Sequence, residues 1–503
     1  MLRTFFSRER LINPVAIVLY LSLFKLLLHI LTNGQFGYHR DELYYIACGQ
    51  HLDFGYVDHP PLIALLARFW TWIFGDSLFS IRFLPAVAGA AIVYLTGLMA
   101  REFGGRMFAL IIACLSVIIA PVILSTNNLF TTNVFDQLFW VIGIYLMIKV
   151  LKYDRPKYWL GVGLIIGLGL LNKHSVAFLI IGLAAGLILT SHRKYFRNKY
   201  LWIGAGFAFL ILAPNLIWQI RYGWPTLEFL REAEINRVIG GTIPGFFKQI
   251  IFSYHPLTLP LWAAGIYFLL FSKEGKSYRS LGILFITLIV IFAAQKSKDY
   301  YLAPTFPLLW AAGAVLLERL LRKRKLKIVG PAIVGILFFG GAALAPLSIP
   351  ILPFDKTAHY CEYMRGGLHP VYSDMLGWEN MVKTVAGVYN SLPEDERKRC
   401  AIMTQNYGQA AAIDFFGPQY NLPEAVSPHN SYWLWGPKDY TGKVMITTGI
   451  SPDGLSQGFG YYRIADVVVN DYAMPYETNQ PVIIWKKPVM PLKAMWPFIK
   501  VYY

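Results

Sequence analysis

Two adjacent carboxylates, Asp41 and Glu42, stand in the run GYHRDELYY, directly after the first hydrophobic stretch of the chain. A carboxylate beside a membrane-embedded cavity can act as a general base, because desolvation raises its proton affinity. Adjacent residues of a helix point in different directions, so the two groups could have separate roles. The alternative is that the pair caps the start of a short helix. We predict that both residues are catalytic.

A second pair, Asp58 and His59, precedes two prolines in VDHPPL. The prolines stiffen the chain, so this pair can face the same cavity as Asp41. Oxygen and nitrogen ligands of this kind bind divalent metals, and Glu42, Asp58 and His59 could form such a site. An ion pair or hydrogen bond that holds the loop is the alternative. The sequence demands no cofactor and leaves a divalent metal open.

Asp136 lies in NNLFTTNVFDQLFW, near the outer end of the fourth hydrophobic span. An ionisable group at that depth normally faces a cavity or a partner. Gln137 and three nearby asparagines give this end of the span a polar mouth. The alternative is a structural hydrogen-bond network.

Cations gather at two other places that the topology below puts on the outer face. Lys173 and His174 lie in GLLNKHSV, and Lys296 and Lys298 lie in QKSKDYYLAPTFP. Lysines in outer loops oppose the positive-inside bias, and a bound anion would explain them. A phosphate leaving group would be stabilised by such cations as its charge develops. Snorkelling to lipid headgroups is the alternative for the lysines, and Tyr301 could donate a hydrogen bond or belong to an aromatic belt.

These residues must be positioned by membrane-spanning helices. Of the 503 residues, 56% are hydrophobic and 15% are charged. Apolar runs of about 20 residues recur, each long enough to cross the hydrocarbon core of a bilayer as a helix. We predict an α-helical polytopic membrane protein with about 11 transmembrane helices, the first of them retained rather than cleaved. The expected spans are 12–32, 79–99, 107–125, 130–150, 158–172, 174–190, 201–220, 255–272, 280–295, 302–318 and 328–348.

The charges of the loops predict the orientation. With the N-terminus in the cytoplasm, every inner loop is basic, as the positive-inside rule requires. These loops are REFGGR, KYDRPKY, SHRKYFRNKY, SKEGKSYR and ERLLRKRKLK. An odd number of spans then places the C-terminal tail outside. The net charge of +17 is explained by topology and anionic lipid, so nucleic acid is not an expected partner. The bacterial inner (plasma) membrane is the expected location.

The tail has a different character, which predicts two domains: a transmembrane domain, 1–348, and a small extracytoplasmic α/β domain, 349–503. Helical spacing occurs in GWENMVKTVAGVYNSL and YGQAAAIDFF, an apolar run in CAIMTQN, and strand patterns in KVMITTGI and YRIADVVVN. The stretches 60–75 and 224–251 are expected to form interfacial or loop helices. If the tail lies outside, Cys361 and Cys400 could form a disulfide.

Five runs occur in a telling order: GYHRDELYY, VDHPPLIALL, TTNVFDQLFW, GLLNKHS and KDYYLAPTFPLLWAAG. Over residues 12–320 this resembles glycosyltransferase family 39 of the GT-C superfamily. That group includes the dolichyl-phosphate-mannose protein mannosyltransferases and the aminoarabinose transferases that modify lipid A. The tail run NYGQAAAID also resembles bacterial members.

The resemblance implies an inverting membrane glycosyltransferase with a polyprenyl-phosphate sugar donor and a hydroxyl acceptor. The acceptor would be a glycolipid, lipid A, a polymer or a protein, and membrane lipid would be a further partner. Asp41 would be the base or its immediate partner, and Glu42 would position the acceptor or an ion. His59 departs from the lysine of the lipid A aminoarabinose transferases. The expected roles of the remaining residues are acceptor or loop positioning for Asp58, His59 and Asp136, and donor phosphate binding for Lys173, His174, Lys298 and Tyr301.

Two other functions stay open from the sequence. A transporter or flippase for a lipid-linked sugar would also use membrane-embedded charges. A scaffold could bind a partner through HNSYWLWG, around Trp433 and Trp435, although this run could equally be domain core. The sequence has no GxxxxGK[ST] loop and no GxGxxG fingerprint, so a soluble nucleotide donor has no recognisable cradle.

Overall fold

The computed structural model describes residues 13–235, 242–323, 326 and 328–503. The basic N-terminal segment and parts of the loops near 236–241 and 324–327 lie outside the described residues. The chain divides into two compact units. We call Met1–Gly34, Phe79–Pro214 and Ile239–Tyr360 the helical unit, and Gln35–Leu78, Asn215–Val238 and Cys361–Tyr503 the mixed unit. The predicted division at residue 348 follows chain order, whereas these two units are interleaved along the chain.

The helical unit is built from apolar helices, as its composition requires. Helices that are apolar on most of their surface are stable when buried or in lipid. The helices that lie wholly or mainly in this unit are Pro14–Thr32, Leu78–Glu102, Met107–Ile119, Pro121–Asn127, Thr132–Tyr153, Tyr158–Asn172, Val176–Ile188, Lys199–Arg221, Ile243–Ser253, Leu259–Leu270, Arg279–Ala294, Phe306–Lys323, Val329–Leu344 and Phe354–Arg365.

Seven helices of the described residues are long and apolar enough to cross a membrane, or up to nine if each of two bent pairs counts as one span. The sequence predicted about eleven. One reason is that some apolar helices, such as Tyr158–Asn172, are shorter than the roughly 20 residues that a span needs. Another is bending: Met107–Ile119 and Pro121–Asn127 meet at 65°. Pro121 lacks the N–H that would continue the first of these helices.

Close contacts between backbones hold the helical unit together. A Cβ atom at Gly163 would lie 2.0 Å from the carbonyl oxygen of Gly204, so neither helix tolerates a larger residue at this crossing. Small residues at such crossings let membrane helices approach until their backbones touch. Trp140 and Trp310 fill the interior as two of its largest fully buried side chains.

The mixed unit contains a five-stranded sheet with the order β2-β1-β3-β5-β4. The strands are β1 Cys400–Thr404, β2 Ala425–Val426, β3 Val444–Thr448, β4 Phe459–Val468 and β5 Gln480–Pro488. β1 pairs in parallel with β2 and β3, while β5 runs antiparallel between β3 and β4. The sequence predicted β3 and β4 and marked the apolar run of β1. The sequence pattern did not predict β5. Pro481 and Pro488 lie near its two ends, and proline disfavours strand interiors.

The helices of the mixed unit follow the predicted patterns closely. The two expected tail helices are Trp378–Asn390 and Tyr407–Phe416, and the expected helix in 60–75 is Leu62–Phe74. The stretch 224–251 contains two helices, Pro225–Ile235 and Ile243–Ser253. The remaining helices of this unit are Arg40–Gln50, Pro370–Ser373, Glu394–Arg397, Asn430–Trp435, Pro452–Leu455 and Leu492–Met495.

The four cysteines are free and buried. The disulfide expected between Cys361 and Cys400 is therefore not formed. Cys361 lies in the helix Phe354–Arg365, and Cys400 begins β1, where its thiol donates to the Ala401 carbonyl oxygen at 3.5 Å.

Candidate active site

The helix Arg40–Gln50 carries the predicted acidic pair at its first turn. Its start is a capping box, in which the Glu42 carboxylate accepts a hydrogen bond from the His39 N–H at 2.8 Å. The Asp41 N–H donates to Nδ1 of His39 at 3.2 Å. Glu42 is fully buried. These contacts give Glu42 the capping role that the sequence offered as the alternative to catalysis.

Asp41 is half-buried, and its carboxylate is held by a residue far along the chain. The Tyr407 hydroxyl donates to Oδ1 of Asp41 at 3.0 Å. Tyr407 begins the helix Tyr407–Phe416, whose cap is Asn406. The Asn406 side-chain oxygen accepts from the N–H of Gly408 at 2.9 Å. The two helix starts therefore fix the direction of the Asp41 carboxylate.

Three tyrosines of the mixed unit form a row that we call the tyrosine stack: Tyr407, Tyr44 and Tyr432. The Tyr44 ring centre lies 4.5 Å from that of Tyr407 and 6.4 Å from that of Tyr432. Each hydroxyl donates to a carboxylate. The pairs are Tyr407 with Asp41 at 3.0 Å, Tyr44 with Asp58 at 2.8 Å and Tyr432 with Asp414 at 2.7 Å.

Burial controls the protonation of the tyrosine stack. It raises the pKa of all three tyrosines, so their hydroxyls stay protonated and remain donors. Burial also raises the pKa of Asp58, against the opposing effects of His59 and of the Tyr44 hydrogen bond. It raises the pKa of Asp414 to about 6. The carboxylates at these two positions therefore hold a proton more tightly than a solvated aspartate does.

Asp58 and His59 are fixed by neighbours of their own. The Tyr44 hydroxyl lies 2.8 Å from both Oδ1 of Asp58 and Oγ of Ser431. Its single proton goes to the carboxylate, and it accepts from Ser431. The His59 ring has Nδ1 at 2.8 Å from the Pro60 carbonyl oxygen and Nε2 at 3.6 Å from Sγ of Cys48. Burial lowers the pKa of His59, which keeps it neutral.

The metal site that the sequence left open at Glu42, Asp58 and His59 is not assembled. Glu42 caps a helix, Asp58 accepts from a tyrosine, and His59 donates to a backbone carbonyl. Among the residues with described positions, no three His, Cys, Asp or Glu side chains are grouped as metal ligands. His59 has the loop-holding role that was the alternative for this pair.

In the helical unit, Asp136 is buried and accepts two hydrogen bonds. Nε1 of Trp140 donates to one carboxylate oxygen and the Ser175 hydroxyl donates to the other, both at 3.0 Å. These contacts form the structural network that the sequence offered as the alternative to a functional role. They also tie the segment after Lys173 to the helix Thr132–Tyr153.

Two of the predicted phosphate-binding lysines come together on the same aromatic pair. We call Lys173, Lys298, Tyr300 and Tyr301 the cation cluster. The Lys173 ammonium lies 5.0 Å from each of the two ring centres, and the Lys298 ammonium lies 5.9 Å from that of Tyr300. Lys173 also donates to the side-chain oxygen of Asn133 at 2.6 Å.

The hydrogen-bond and ring partners of the cation cluster are uncharged, while the Asp136 carboxylate acts on Lys173 electrostatically. Aromatic faces and a neutral amide stabilise an ammonium electrostatically and leave its charge in place. Lys298 is exposed and Lys173 is half-buried. His174, also predicted to bind phosphate, is half-buried directly after Lys173. That the cluster binds the phosphate of a donor stays a prediction.

Sequence reasoning missed the residues that hold the acids. Tyr407 and Ser431 contact residues 366 and 387 positions away, Asp41 and Tyr44 respectively. No local pattern reveals such a pair. The tail run NYGQAAAID resembles bacterial family members, but this resemblance gives its tyrosine no role.

Comparison with known protein families and curated proteins gives partial matches. Residues 58–218 match the family model described as dolichyl-phosphate-mannose-protein mannosyltransferase. The lipid A galacturonosyltransferase RgtD of Rhizobium johnstonii is 27% identical over 194 residues. That match covers 38% of this chain and 40% of RgtD, so the chain spans less than half of the length of this curated relative.

Solved structures match nearly the whole chain. The crystal structure of ArnT from Cupriavidus metallidurans in the apo state has a TM-score of 0.64 and 15% identity. The structure of the same protein bound to undecaprenyl phosphate has a TM-score of 0.61 and 14% identity. Each comparison covers 94% of this chain and 97% of the ArnT chain. The predicted fold class is confirmed: this is a multi-pass membrane protein with a GT-C fold. The two partial matches agree with the predicted resemblance to the family 39 transferases over part of the chain.

Proposed function

We propose that this GT-C membrane protein is an inverting glycosyltransferase that uses a polyprenyl-phosphate sugar. The acceptor would be a hydroxyl group of a glycolipid of the lipid A class. The partial match to a lipid A galacturonosyltransferase supports both the activity and the acceptor class. The undecaprenyl phosphate bound by ArnT supports the class of donor. The basic inner loops support transfer on the outer face of a bacterial inner membrane, with the C-terminal domain extracytoplasmic.

The cation cluster is the observation that carries this proposal. Two ammonium groups share the Tyr300 ring; their ring and amide partners are neutral, and the Asp136 carboxylate offsets part of the charge of Lys173. A phosphate that leaves from a sugar gains negative charge at its bridging oxygen. Fixed cations near that oxygen stabilise the transition state more than the ground state, which is the requirement for catalysis.

The reaction would be a single displacement. The acceptor oxygen bonds to the anomeric carbon while the bond from that carbon to the phosphate oxygen breaks. The electron pair of the broken bond leaves with the polyprenyl phosphate, where Lys173 and Lys298 would meet it. The proton of the acceptor hydroxyl passes to the Asp41 carboxylate. One displacement inverts the anomeric centre, through a transition state with oxocarbenium character.

Tyr407 would be a positioning residue in this scheme. Its hydroxyl donates to one oxygen of Asp41, and burial raises its own pKa, so it does not compete as a base. A hydrogen bond to a carboxylate fixes the orientation of the group without removing its charge.

A direct assay tests the proposed function. The full chain, purified into lipid nanodiscs, would be incubated with undecaprenyl-phosphate galacturonic acid or aminoarabinose and with lipid A. Mass spectrometry should detect a glycosylated lipid A, and NMR should show the inverted anomeric configuration. Product formed in nanodiscs, which have no sealed compartment, would exclude a pure flippase. Bound donor without transfer to any glycolipid acceptor would contradict the proposal.

A further inference from the structure

A cavity of about 420 Å³ opens in the mixed unit, apart from the tyrosine stack. This volume lies within the range of small-molecule sites. Its wall combines aromatic rings with exposed charged side chains. The lining residues used below are Phe36, Tyr38, Trp378, Glu379, Lys383 and Phe416.

The wall of this cavity is held in place by backbone contacts. A Cβ atom at Gly37 would lie 2.3 Å from the Met375 carbonyl oxygen, so only glycine lets the two segments meet. Next to it, Phe36 has a φ of 70°. A bulky residue in this left-handed region is strained and persists only where its surroundings determine it.

Hydrogen bonds fix two of the aromatic rings. The Trp378 indole N–H donates to the Asp374 carbonyl oxygen at 2.9 Å, and the Tyr38 hydroxyl donates to that of Asp76 at 2.9 Å. The Tyr38 ring packs edge-on against Phe416, with ring centres 5.9 Å apart. The cavity is therefore lined by rings whose positions are set before any ligand arrives.

Glu379 and Lys383 bring opposite charges to the rim. They lie four residues apart in the helix Trp378–Asn390, and both are exposed. Within the described parts of the chain, no ion pair joins these two side chains. The mixed unit holds a second pair with the same spacing, Glu394 and Lys398, which does form an ion pair at 2.8 Å. The charges at the cavity are thus available to a ligand.

We propose that this cavity binds a hexopyranose unit of the acceptor glycan, a proposal that rests on the proposed function. The C–H face of a pyranose packs on aromatic rings, and its hydroxyl groups require donors and acceptors at the rim. The Glu379 carboxylate accepts from sugar hydroxyls. The Lys383 ammonium donates to hydroxyl oxygens or to an acidic substituent on the ring.

Binding without turnover tests the subsite. The full chain in lipid nanodiscs would be titrated with methyl β-D-glucopyranoside, N-acetylglucosamine and galacturonate, and followed by saturation-transfer NMR. Nanodiscs are needed because glycoside detergents would occupy a sugar site. We expect saturation of the ring C–H protons. Glu379→Gln should weaken binding about tenfold, the effect of losing one charge-assisted hydrogen bond.

Two further variants make the test specific. Glu394→Gln, the matched change in the ion pair outside the cavity, should leave binding unchanged. Gly37→Ala should abolish binding by moving the wall, with folding checked by thermal unfolding. Equal loss in Glu379→Gln and Glu394→Gln, or no saturation with any of the three sugars, would overturn the subsite.

The same titration separates this proposal from the proposed function. Sugar binding that depends on Glu379, in a protein that transfers no sugar to lipid A, would keep the subsite and reject the transfer reaction. Normal transfer with no sugar bound at the cavity would reject the subsite and keep the reaction.

Discussion

The two polar clusters use tyrosine in opposite ways. In the cation cluster, the rings of Tyr300 and Tyr301 face the Lys173 ammonium, and the ring is the functional part. In the tyrosine stack, the hydroxyls donate to carboxylates, and the rings serve only to hold one another. The tyrosine stack belongs to the mixed unit and the cation cluster to the helical unit.

The comparison shows how charge is kept available in a buried or half-buried place. A salt bridge would neutralise a charged group, so its charge would stabilise the fold and would not be available to a reacting group. A ring face or a hydroxyl stabilises an ion while leaving its charge for a reacting group. If this interpretation is right, variants of the charged residues should lose activity, whereas variants of their neutral partners should lose less.

The largest effect is expected from Asp41→Asn. An amide cannot take the acceptor proton, so transfer should fall on the order of a thousandfold, the usual contribution of a general base. Thermal unfolding and donor binding should be close to those of the natural protein. Asp466→Asn, in the exposed strand β4, is the matched control and should retain full activity. Full transfer activity in Asp41→Asn would show that this carboxylate is not the general base.

Next in size is Lys173→Gln. Glutamine can still contact Asn133 but brings no charge, so transfer should fall about a hundredfold through weaker stabilisation of the leaving phosphate. The measurement is the rate of transfer at saturating donor. Lys157 and Lys173 lie at opposite ends of the helix Tyr158–Asn172, so Lys157→Gln is the matched control. Equal rates for these two variants would show that the charge at position 173 has no part in the reaction.

A smaller loss is expected from Tyr407→Phe. The ring and its packing on Tyr44 remain, and only the hydrogen bond to Asp41 is lost. We expect the rate to fall about tenfold, with the pH dependence of transfer shifted, because one hydrogen bond to a charged group is removed. Tyr432→Phe removes the corresponding hydroxyl at the other end of the stack. A similar fall in both variants would assign the effect to the stack as a whole and not to Asp41.

The smallest effect concerns stability and pH. Burial raises the pKa of Asp414 to about 6, above its ordinary value, so the folded state binds this proton more tightly than the unfolded chain does. The stabilisation is complete below the unfolded pKa of Asp414 and is lost as the pH rises to about 6. Asp414→Asn should remove this dependence while keeping the acceptor for the Ala425 N–H.

Thermal unfolding of the full chain between pH 4 and 7 measures this difference. Burial lowers the pKa of His429 to about 4, and it titrates in the same window with the opposite sign. The difference between the natural protein and Asp414→Asn is therefore the quantity to compare. It should amount to about 2–3 kcal/mol, the scale of a pKa shift of about two units. Parallel curves for the two proteins would show that Asp414 is not buried in solution.

Local patterns predicted most of the elements but few of the contacts. The helix Tyr407–Phe416 follows the predicted run residue for residue, because its apolar spacing and its Asn406 cap are both local. The association of Lys173 with Lys298 was expected from their charge and location. The partner of Asp41 was not, since a hydrogen bond across 366 positions has no signature in one sequence.

The misses have physical reasons as well. A charged pair at a helix start can cap it or do chemistry; the structure shows the cap at Glu42, and the catalytic role of this residue stays a prediction. Hydropathy reports how apolar a segment is and not where it bends, so the predicted count of about eleven spans is not confirmed by the seven to nine candidates among the described residues. Two cysteines in one domain can pair only when their Cα atoms come close, and sequence does not give that distance.

The glycine contact between the helices Tyr158–Asn172 and Lys199–Arg221 influences the position of Lys173, although the contact itself involves no charged residue. A Cβ atom at Gly204 would lie 2.3 Å from the Trp159 carbonyl oxygen, at the end of the first helix opposite Lys173. A helix of this length is stiff, so a methyl group at Gly204 that pushes on Trp159 would tilt the whole helix. The Lys173 ammonium at the other end of the helix would then move away from the rings of Tyr300 and Tyr301, although no residue near it had been changed.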